Sequence, residues 1–338
     1  MAKVAVIGAG SWGIALSVLL TNNGHQVTVW SAIEEEIQLL NEKREHVDKL
    51  PGVRLDDTMI FTTDLEESIV GKDLVVLAVP SPYVRSTAKR MKDYVSDKQI
   101  IVNVAKGIEE NTLMTMSAII EEEIPQSTVA VLSGPSHAEE VGRGIPTTIV
   151  VGAKTKKVAL EVQSIFMCDV FRVYTSSDVQ GIELGAALKN VVALAAGIAD
   201  GLGYGDNTKA ALITRGITEI GRLGIAMGSR FETFAGLSGI GDLIVTCASK
   251  HSRNRRAGML MGQGYTMEEA MKEVNMVVEG VYSTKAAIGL AKKYQVSVPI
   301  IEQVHAVLFE NKSADEAVKD LMFRDARTET HEEEWDEE

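Results

Sequence analysis

Lys189 is the charged residue with the most unusual surroundings, because the stretch from Gly185 to Ala196 is otherwise almost entirely apolar. Burial would strip water from its ammonium group and lower its pKa toward neutrality, where a lysine can exchange protons with a substrate. The alternative is a lysine that reaches the surface along its aliphatic stem. This segment alone leaves both interpretations open.

A short basic run, Ser249 to Arg256, contains Arg253 and Asn254 directly after Ser252, a residue type that often caps a helix N-terminus. An arginine there predicts a phosphate site, because the helix dipole and bidentate hydrogen bonds both favour an anion. A solvated basic patch is the alternative. Nucleic-acid binding is disfavoured, since the run is short, lacks interleaved aromatic residues and belongs to an acidic protein.

Two further charged residues follow predicted turns. Asp242 comes after Gly239-Ile240-Gly241, and by propensity alone we expect it to cap the next helix. Lys106 follows a predicted strand end, where a lysine is commonly exposed but also lies at a ligand edge. The six histidines show no triad partner pattern, so we expect none of them to be catalytic. Cys168 and Cys247 are isolated, with no His or Cys at metal-ligand spacing nearby, so we predict no metal site.

A G-x-G-x-x-G motif at residues 8–13 joins a short apolar strand to an apolar helix. Gly8 permits the tight turn, Gly10 lets the backbone approach a pyrophosphate, and Gly13 lets the helix pack closely on the strand. The free N–H groups of the first helical turn would hold the phosphates. A second strand over residues 26–30 favours a dinucleotide site over an ordinary strand-to-helix loop.

The order of elements predicts the fold class. Up to residue 178, strands alternate with helical stretches, which is typical of a Rossmann-type, doubly wound and mostly parallel α/β sheet. Ligands of such sheets bind beyond the carboxyl ends of the strands. The predicted strands are 3–7, 26–30, 58–62, 74–79, 99–104, 128–132, 146–152 and 170–174, and the helices between them include 33–43, 82–93, 112–123 and 155–167.

The rest of the chain is predicted to be all-helical, and three parts follow. Residues 1–178 are expected to form the dinucleotide-binding domain, 179–327 a helical substrate-binding domain, and 328–338 a disordered tail with seven carboxylates and no Lys or Arg. The helical stretches lie near 178–200, 207–226, 238–248, 253–262, 266–273, 280–294, 299–309 and 313–322.

Composition favours a soluble protein of the cytoplasm. The chain is 45% hydrophobic and 24% charged, with a net charge of −13. The N-terminus enters a strand directly and does not resemble a secretory signal. Lys189 and Asn190 interrupt the most apolar helix, so we expect no membrane span. Two isolated cysteines fit a reducing compartment.

From Lys3 to about Arg324, the chain resembles bacterial NAD(P)-dependent glycerol-3-phosphate dehydrogenases. Many spaced motifs in one order make this resemblance specific. They are residues 8–13, Val104-Ala105-Lys106-Gly107-Ile108-Glu109, Leu132-Ser133-Gly134-Pro135-Ser136, Leu188-Lys189-Asn190, residues 206–216 (Asp-Asn-Thr-Lys to Thr-Arg-Gly), Gly239-Ile240-Gly241-Asp242-Leu243, Ser252-Arg253-Asn254 and Val278-Glu279-Gly280.

The resemblance implies reversible reduction of dihydroxyacetone phosphate by NAD(P)H to sn-glycerol 3-phosphate for glycerophospholipid synthesis, with Lys189 as proton donor and acceptor. The resemblance also implies that Asp242 belongs to the substrate site and does not merely cap a helix. A homodimer is a further expectation. The residues implied to line the triose-phosphate site are Lys106, Gly134, Ser136, Lys189, Asp242, Thr246, Ser252, Arg253 and Asn254; those implied to contact the dinucleotide are Ser11, Trp12, Lys106, Ala138, Arg253, Val277 and Glu279, together with Gly8, Gly10 and Gly13 of the motif and Ser31.

Two departures from the family pattern stand out. After the second strand the family usually has an arginine, whereas this chain has Ser31-Ala32, and the carboxylates of residues 34–36 come later. We therefore expect both NADH and NADPH to be accepted. His137 stands where the family commonly has Phe, which is expected to alter the packing behind Ser136 without affecting proton chemistry.

Two other functions fit parts of the sequence. A dehydrogenase of the 6-phosphogluconate or β-hydroxyacid type also joins a Rossmann domain to helices and uses a lysine, but it predicts activity on hydroxyacids. A non-catalytic NAD(P)-binding regulator would keep the glycine motif without needing Lys189, Asp242 and Arg253 together.

Overall fold

The computed structural model describes residues 1–326, 328 and 329. Its N-terminal part is built on one eight-stranded sheet, in which every strand predicted from the sequence is present. Two further strands, β3 and β4, form a separate hairpin. The ten strands are β1 Lys3–Ile7, β2 Gln26–Trp30, β3 Glu45–His46, β4 Leu50–Arg54, β5 Ile60–Thr62, β6 Leu74–Leu77, β7 Ile100–Asn103, β8 Thr128–Ser133, β9 Thr147–Ala153 and β10 Phe171–Ser176.

The order across this sheet is β10-β9-β8-β7-β6-β1-β2-β5. Neighbouring strands are parallel except β8 and β9, which pair in antiparallel fashion, so the predicted mostly parallel sheet is confirmed. The carboxyl ends of β1, β2, β6, β7 and β8 consequently meet at one edge, where ligands of such sheets bind.

Helices cover both faces of the sheet, and the chain continues as helices after it. Among the residues described after Ser176 there is no strand. The helices are α1 Ser11–Asn22, α2 Glu34–Lys43, α3 Leu65–Ile69, α4 Val84–Met91, α5 Met116–Glu123, α6 Ala138–Val141, α7 Lys156–Phe166, α8 Val179–Gly201, α9 Asp206–Ala226, α10 Phe231–Phe234, α11 Asp242–Ala248, α12 Arg253–Gly262, α13 Met267–Val274, α14 Glu279–Tyr294, α15 Pro299–Phe309 and α16 Ala314–Met322.

The alternation of side chains along β1 divides the sheet core in two. Val4 and Val6 pack into a hydrophobic cluster on one face, and Ala5 and Ile7 into a second cluster on the other face. All four are fully buried, as expected for a central parallel strand with helices on both sides. Such a strand holds the glycine turn that follows it in a fixed position.

Helix α8 is the centre of the helical part, and its middle is almost completely buried. Helix α12 crosses it closely because both helices have glycine at the crossing. A Cβ at Gly197 of α8 would lie 2.1 Å from the carbonyl oxygen of Arg255, and one at Gly258 of α12 would lie 2.2 Å from that of Leu194. This close approach brings the N-terminus of α12 beside the middle of α8.

The structure also differs from the sequence expectations. A small antiparallel hairpin, β3 and β4, was not predicted, because its first strand has only two residues and its second contains Pro51 and Gly52. The helix expected over 238–248 begins only at Asp242, after a π-helical turn over Leu237–Gly241. The predicted tail, 328–338, lies outside the described residues except for Thr328 and Glu329.

Two stretches, Val179–Gly201 and Phe231–Ala248, are long and apolar enough to cross a membrane by those two criteria alone. The first lies wholly inside the protein, as the core helix of a globular protein does. In the described part of the chain, no group of three His, Cys, Asp or Glu residues is arranged to hold a metal ion.

Candidate active site

The glycine motif forms a tight turn between β1 and α1. Gly8 has φ +121°, and a Cβ there would lie 2.8 Å from the carbonyl carbon of Ala78, while a Cβ at Gly13 would lie 2.0 Å from the oxygen of Gly8. A Cβ at Gly10 would meet nothing within 4 Å. Contacts within the protein therefore require glycine at residues 8 and 13. Gly10 instead leaves open space beside the turn.

This turn fits a dinucleotide phosphate group. Helix α1 begins at Ser11, and its N-cap Gly10 has no side chain to satisfy the N–H groups of the first turn. These N–H groups and the positive end of the helix dipole favour an anion. The indole Nε1 of Trp12 is also buried without a hydrogen-bond partner, which leaves a donor available beside the turn.

A carboxylate lies at the end of β2 after all. Gly8 N donates to Trp30 O at 2.9 Å, so Ser31 comes one residue beyond the strand that flanks the glycine turn. Ser31 Oγ donates to Glu36 Oε2 at 2.5 Å, because the first turn of α2 folds back onto the strand end. The sequence indicates no carboxylate at this strand end, because residues 34–36 come later, and that expectation is wrong: Glu36 lies there.

Lys189 lies in the buried middle of α8, with 5% of its surface exposed. Its Nζ donates to Asp242 Oδ1 at 2.5 Å and to Thr246 Oγ1 at 2.6 Å. Thr246 is one turn after Asp242 on α11, so one helix supplies both acceptors. The sequence left two interpretations of Lys189 open. The structure confirms that its ammonium group is buried and does not reach the surface.

Asp242 connects two lysines from different parts of the chain. Its Oδ2 accepts from Lys106 Nζ at 2.7 Å, and the same ammonium donates to Gly134 O at 3.2 Å. Ser136 Oγ also donates to Gly134 O, at 2.9 Å. The expectation that Asp242 caps α11 is wrong, because its side chain makes no cap and points to the lysines instead.

The turn before α11 explains how Asp242 is aimed. Gly239 has φ −98° and ψ −106°, values outside the helical region, and a Cβ there would lie 2.0 Å from Phe234 O. Glycine therefore lets the chain pass close to α10 and start a new helix at Asp242. The carboxylate, 1% exposed as a residue, is thereby placed against α8.

Lys106, Lys189 and Asp242 form a cluster of charges, the lysine cluster, whose members shift one another's pKa values. Burial lowers the pKa of Lys189 to about 8; the Lys106 charge acts in the same direction and Asp242 opposes it. Burial acts to raise the pKa of Asp242, but the charges of Lys106 and Lys189 outweigh it and hold that pKa below its ordinary value. Two ammonium groups and one carboxylate leave a positive site, which suits an anionic substrate.

Asn103 fixes the loop that carries Lys106, a role that we did not predict. Its Oδ1 accepts from Ala105 N at 3.0 Å, and its Nδ2 donates to Glu183 Oε1 at 3.1 Å. Glu183 lies on α8, so this bond ties the loop to the helix that carries Lys189. A polar residue at the end of the apolar strand Ile100–Asn103 was the available signal.

Arg253 is the first residue of α12, and Ser252 caps that helix as predicted, since its Oγ accepts from Arg255 N at 3.2 Å. Arg253 Nη1 donates to Val277 O at 3.3 Å. Asn254 Nδ2 donates to Asn190 Oδ1 at 3.0 Å, and Asn254 is buried. The N-terminus of α12 is thus held beside the residue that follows Lys189.

Glu279, the first residue of α14, reaches across to the sheet. Ser81 N donates to Glu279 Oε1 at 3.2 Å, and Ser81 Oγ donates to Oε2. Burial raises the pKa of Glu279, against the opposing effects of these bonds and of the Arg253 charge. Ala138, also predicted to contact the dinucleotide, lies at the start of α6, which packs against α1.

His137 has a buried Nε2 with no hydrogen-bond partner, and its ring centroid lies 5.9 Å from that of His251. Burial lowers the pKa of His137, and the Lys189 charge acts in the same direction. His251 precedes the cap of α12, so this pair spans the sheet side and the helical side of the site. No spacing of the two histidines in the sequence indicates this pair.

The order of the sheet and the open glycine turn define a Rossmann-type dinucleotide-binding fold with a helical second part. A ketopantoate reductase from Ralstonia eutropha JMP134 shares this fold, with a TM-score of 0.62 at 17% identity over 94% of this chain and 99% of that one. That similarity concerns the fold alone.

Closer relatives define the family. Residues 3–159 match the NAD-dependent glycerol-3-phosphate dehydrogenase N-terminus, and residues 178–319 match its C-terminus. The chain belongs to this family. Glycerol-3-phosphate dehydrogenase [NAD(P)+] of Agathobacter rectalis is 66% identical over 99% of this chain and 100% of that relative, and the Fusobacterium nucleatum enzyme is 62% identical over 97% and 99%.

A solved structure agrees with this assignment. The crystal structure of glycerol-3-phosphate dehydrogenase from Coxiella burnetii has a TM-score of 0.92 and 35% identity, and covers 96% of this chain and 99% of that chain. The family is neither the 6-phosphogluconate or β-hydroxyacid type nor a non-catalytic regulator, so both alternatives from the sequence are set aside.

Proposed function

We propose that the chain catalyses the reversible reduction of dihydroxyacetone phosphate to sn-glycerol 3-phosphate, with Lys189 as general acid and base. The observation that carries this proposal is the buried Lys189 ammonium, held by Asp242 at 2.5 Å in the middle of α8. The relatives' names supply the substrate and the reaction.

The proton step follows from the lysine's surroundings. When a hydride reaches C2, negative charge develops on the carbonyl oxygen. The Lys189 ammonium stabilises that charge and transfers its proton to the oxygen, which leaves a neutral amine. In the reverse direction the neutral amine takes the hydroxyl proton. Asp242 and Thr246 orient Nζ through its two hydrogen bonds.

Phosphate recognition is assigned to the start of α12. Arg253 offers a charged, planar donor set, and the first turn of a ten-residue helix offers N–H groups and the positive dipole end. Lys106, which is paired with Asp242 at 2.7 Å, adds a further cation to the site. Holding the phosphate orients C2 toward Lys189, which makes the reaction effectively intramolecular. Gly134, Ser136, Ser252 and Asn254 complete the proposed substrate site.

The dinucleotide supplies the hydride when it is bound. Gly8, Gly10 and Gly13 would hold its pyrophosphate on the N-terminus of α1, with Ser11 and Trp12 in that first turn. Ser31 would lie at the adenosine ribose. Lys106, Ala138, Arg253, Val277 and Glu279 are proposed to contact the rest of the molecule, since they lie along the edge between sheet and helices.

The remaining parts of the proposal concern the protein as a whole. We propose that residues 1–178 form a dinucleotide-binding domain and residues 179–327 a substrate-binding domain. We also propose that the product serves glycerophospholipid synthesis. A cytoplasmic location is proposed because Cys168 and Cys247 are free thiols, which fits a reducing compartment. A homodimer is proposed because Phe231 and Met322 line one largely apolar groove and expose 63% and 77% of their surface. Light scattering of the purified chain measures that assembly.

A spectrophotometric assay tests the reaction. Purified protein is mixed with dihydroxyacetone phosphate and either NADH or NADPH, and consumption of the reduced cofactor is followed. We expect turnover that depends on the phosphate, so unphosphorylated dihydroxyacetone serves as the matched control. Absence of turnover with dihydroxyacetone phosphate, or equal turnover with both ketones, would contradict the proposal.

A further inference from the structure

Three buried side chains and one partly exposed lysine form a polar cluster beside the end of β2. Glu36 is its centre, with 9% of its surface exposed. Ser31 Oγ donates to Glu36 Oε2 at 2.5 Å, His46 Nε2 donates to Oε1 at 2.9 Å, and Lys49 Nζ forms an ion pair with Oε1. We call these residues the Glu36 cluster.

The cluster lies where a Rossmann-type fold meets the adenosine ribose. β1 and β2 are in parallel register with Ile7 opposite Trp30, and Gly8 N donates to Trp30 O at 2.9 Å. Ser31 therefore follows directly after the strand that flanks the phosphate turn. In such folds the group at this strand end contacts the ribose 2′-hydroxyl, or the 2′-phosphate that distinguishes NADP from NAD.

The charge state of Glu36 is fixed by its partners. Burial acts to raise its pKa, but the hydrogen bonds from His46, Lys49 and Ser31 outweigh burial and lower the pKa to about 2. The carboxylate consequently stays ionised at neutral pH. An ionised carboxylate accepts hydrogen bonds only, and it repels a phosphate brought to the same place.

We propose that Glu36 is the residue that discriminates between the two cofactors, by accepting the ribose 2′-hydroxyl of NAD(H) and repelling the 2′-phosphate of NADP(H). A carboxylate has about four lone-pair positions, and Ser31, His46 and Lys49 use three of them. One position is left for the ribose hydroxyl.

Lys49 contributes to this discrimination through its partner. A lysine at this position would ordinarily attract a 2′-phosphate, but its ammonium is paired with Glu36. The carboxylate thus repels the phosphate directly and also occupies the cation that would bind it. Removing the carboxylate releases Lys49, whose side chain is 35% exposed and can reach a bound phosphate.

This inference rests on the proposed function for its choice of ligands, yet binding tests it without turnover. Dissociation constants for NADH and NADPH are measured by fluorescence titration of the unmodified protein and of Glu36→Gln. We expect the unmodified protein to bind NADH about tenfold to a hundredfold more tightly, the size of one hydrogen bond to a charged group. Glu36→Gln should tighten NADPH binding by about tenfold and leave NADH unchanged or weaker.

Two further variants separate the mechanism from a general charge effect. Glu35→Gln changes the same charge on an exposed side chain of the same helical turn and should leave the NADH to NADPH ratio unaltered. Lys49→Met should have little effect alone, but should reduce the NADPH gain when combined with Glu36→Gln, because only the relief of direct repulsion then remains. Equal effects of Glu35→Gln and Glu36→Gln would overturn the proposal, and a gain that is undiminished by the loss of Lys49 would overturn the part assigned to Lys49.

The unmodified protein provides a test that needs no variant to fold. Adenosine 2′,5′-bisphosphate and adenosine 5′-monophosphate differ only by the 2′-phosphate and are compared as competitors of NADH. We expect the bisphosphate to compete less well. Equal or tighter binding of the bisphosphate would overturn the role of Glu36, whether or not the protein reduces dihydroxyacetone phosphate. Conversely, a protein that discriminates as expected but lacks that activity would contradict the proposed function alone.

Discussion

The glycine turn and the lysine cluster are two parts of one site, but they are built differently. The turn uses the backbone of six consecutive residues, Gly8 to Gly13, and contacts within the protein require glycine at residues 8 and 13. The cluster uses side chains from distant segments: Lys189 and Asp242 are 53 residues apart, and Lys106 and Asp242 are 136 apart. A backbone site is local in sequence, whereas a side-chain site exists only once the helices have packed.

This difference predicts how each part responds to substitution. Changes in the lysine cluster should remove chemistry and leave dinucleotide binding intact. Replacing a glycine of the turn should weaken dinucleotide binding. It should also lower stability only where the added Cβ would collide with other atoms of the protein.

Lys189→Ala should lower kcat by about 100-fold or more, because a general acid and base contributes about 10²–10⁴ to the rate. NADH affinity should stay within about threefold of that of the unmodified protein, a smaller change than the loss of one hydrogen bond to a charged group would cause. Steady-state kinetics and fluorescence titration measure the two quantities. Lys89→Ala, an exposed lysine on α4, is the control. Near-normal kcat in a folded Lys189→Ala protein would remove the proposed role.

Arg253→Ala should raise KM for dihydroxyacetone phosphate by about tenfold to a hundredfold, since a hydrogen bond to a charged group contributes about 1.5–3 kcal/mol. Its guanidinium contacts only the Val277 carbonyl among the protein contacts described, so donors remain for phosphate. The same variant is assayed with unphosphorylated dihydroxyacetone. If kcat/KM falls equally for both ketones, Arg253 does not recognise the phosphate.

Gly10→Ala and Gly13→Ala form a matched pair within the turn. The new Cβ at residue 10 meets nothing within 4 Å, so Tm should be unchanged while NADH affinity falls by roughly tenfold, because the pyrophosphate approach is obstructed. The Cβ at residue 13 would lie 2.0 Å from Gly8 O, so Gly13→Ala should also lower Tm. Thermal unfolding and titration distinguish them; equal Tm losses would contradict the distinction.

Much of the fold could be predicted because strands of a doubly wound sheet are apolar and separated by helices. The hairpin β3–β4 could not, since Glu45–His46 is too short to show a periodicity. The start of α11 was placed too early because propensity gave no sign that Gly239 leaves the helical region. Local pattern thus indicates elements, while tertiary contacts set where they begin.

The site was predictable to different degrees for the same reason. The glycine motif could be interpreted from its spacing, but Lys189 remained ambiguous until α8 was seen to be buried. Asp242 was expected to be a cap, because the two lysines that attract its carboxylate are remote in sequence. Glu36 comes five residues after Ser31, so its place at the strand end could not be predicted from spacing; the first turn of α2 brings its carboxylate back to Ser31.

The pH dependence of kcat in both directions tests the central role of Lys189 most directly. Burial lowers the pKa of this lysine to about 8, so it titrates within an accessible range. Reduction of dihydroxyacetone phosphate requires the protonated form, and its kcat should fall as pH rises through about 8. Oxidation of sn-glycerol 3-phosphate requires the neutral form, and its kcat should rise through the same pH. Profiles that run in the same direction, or that stay flat across this range, would contradict the account.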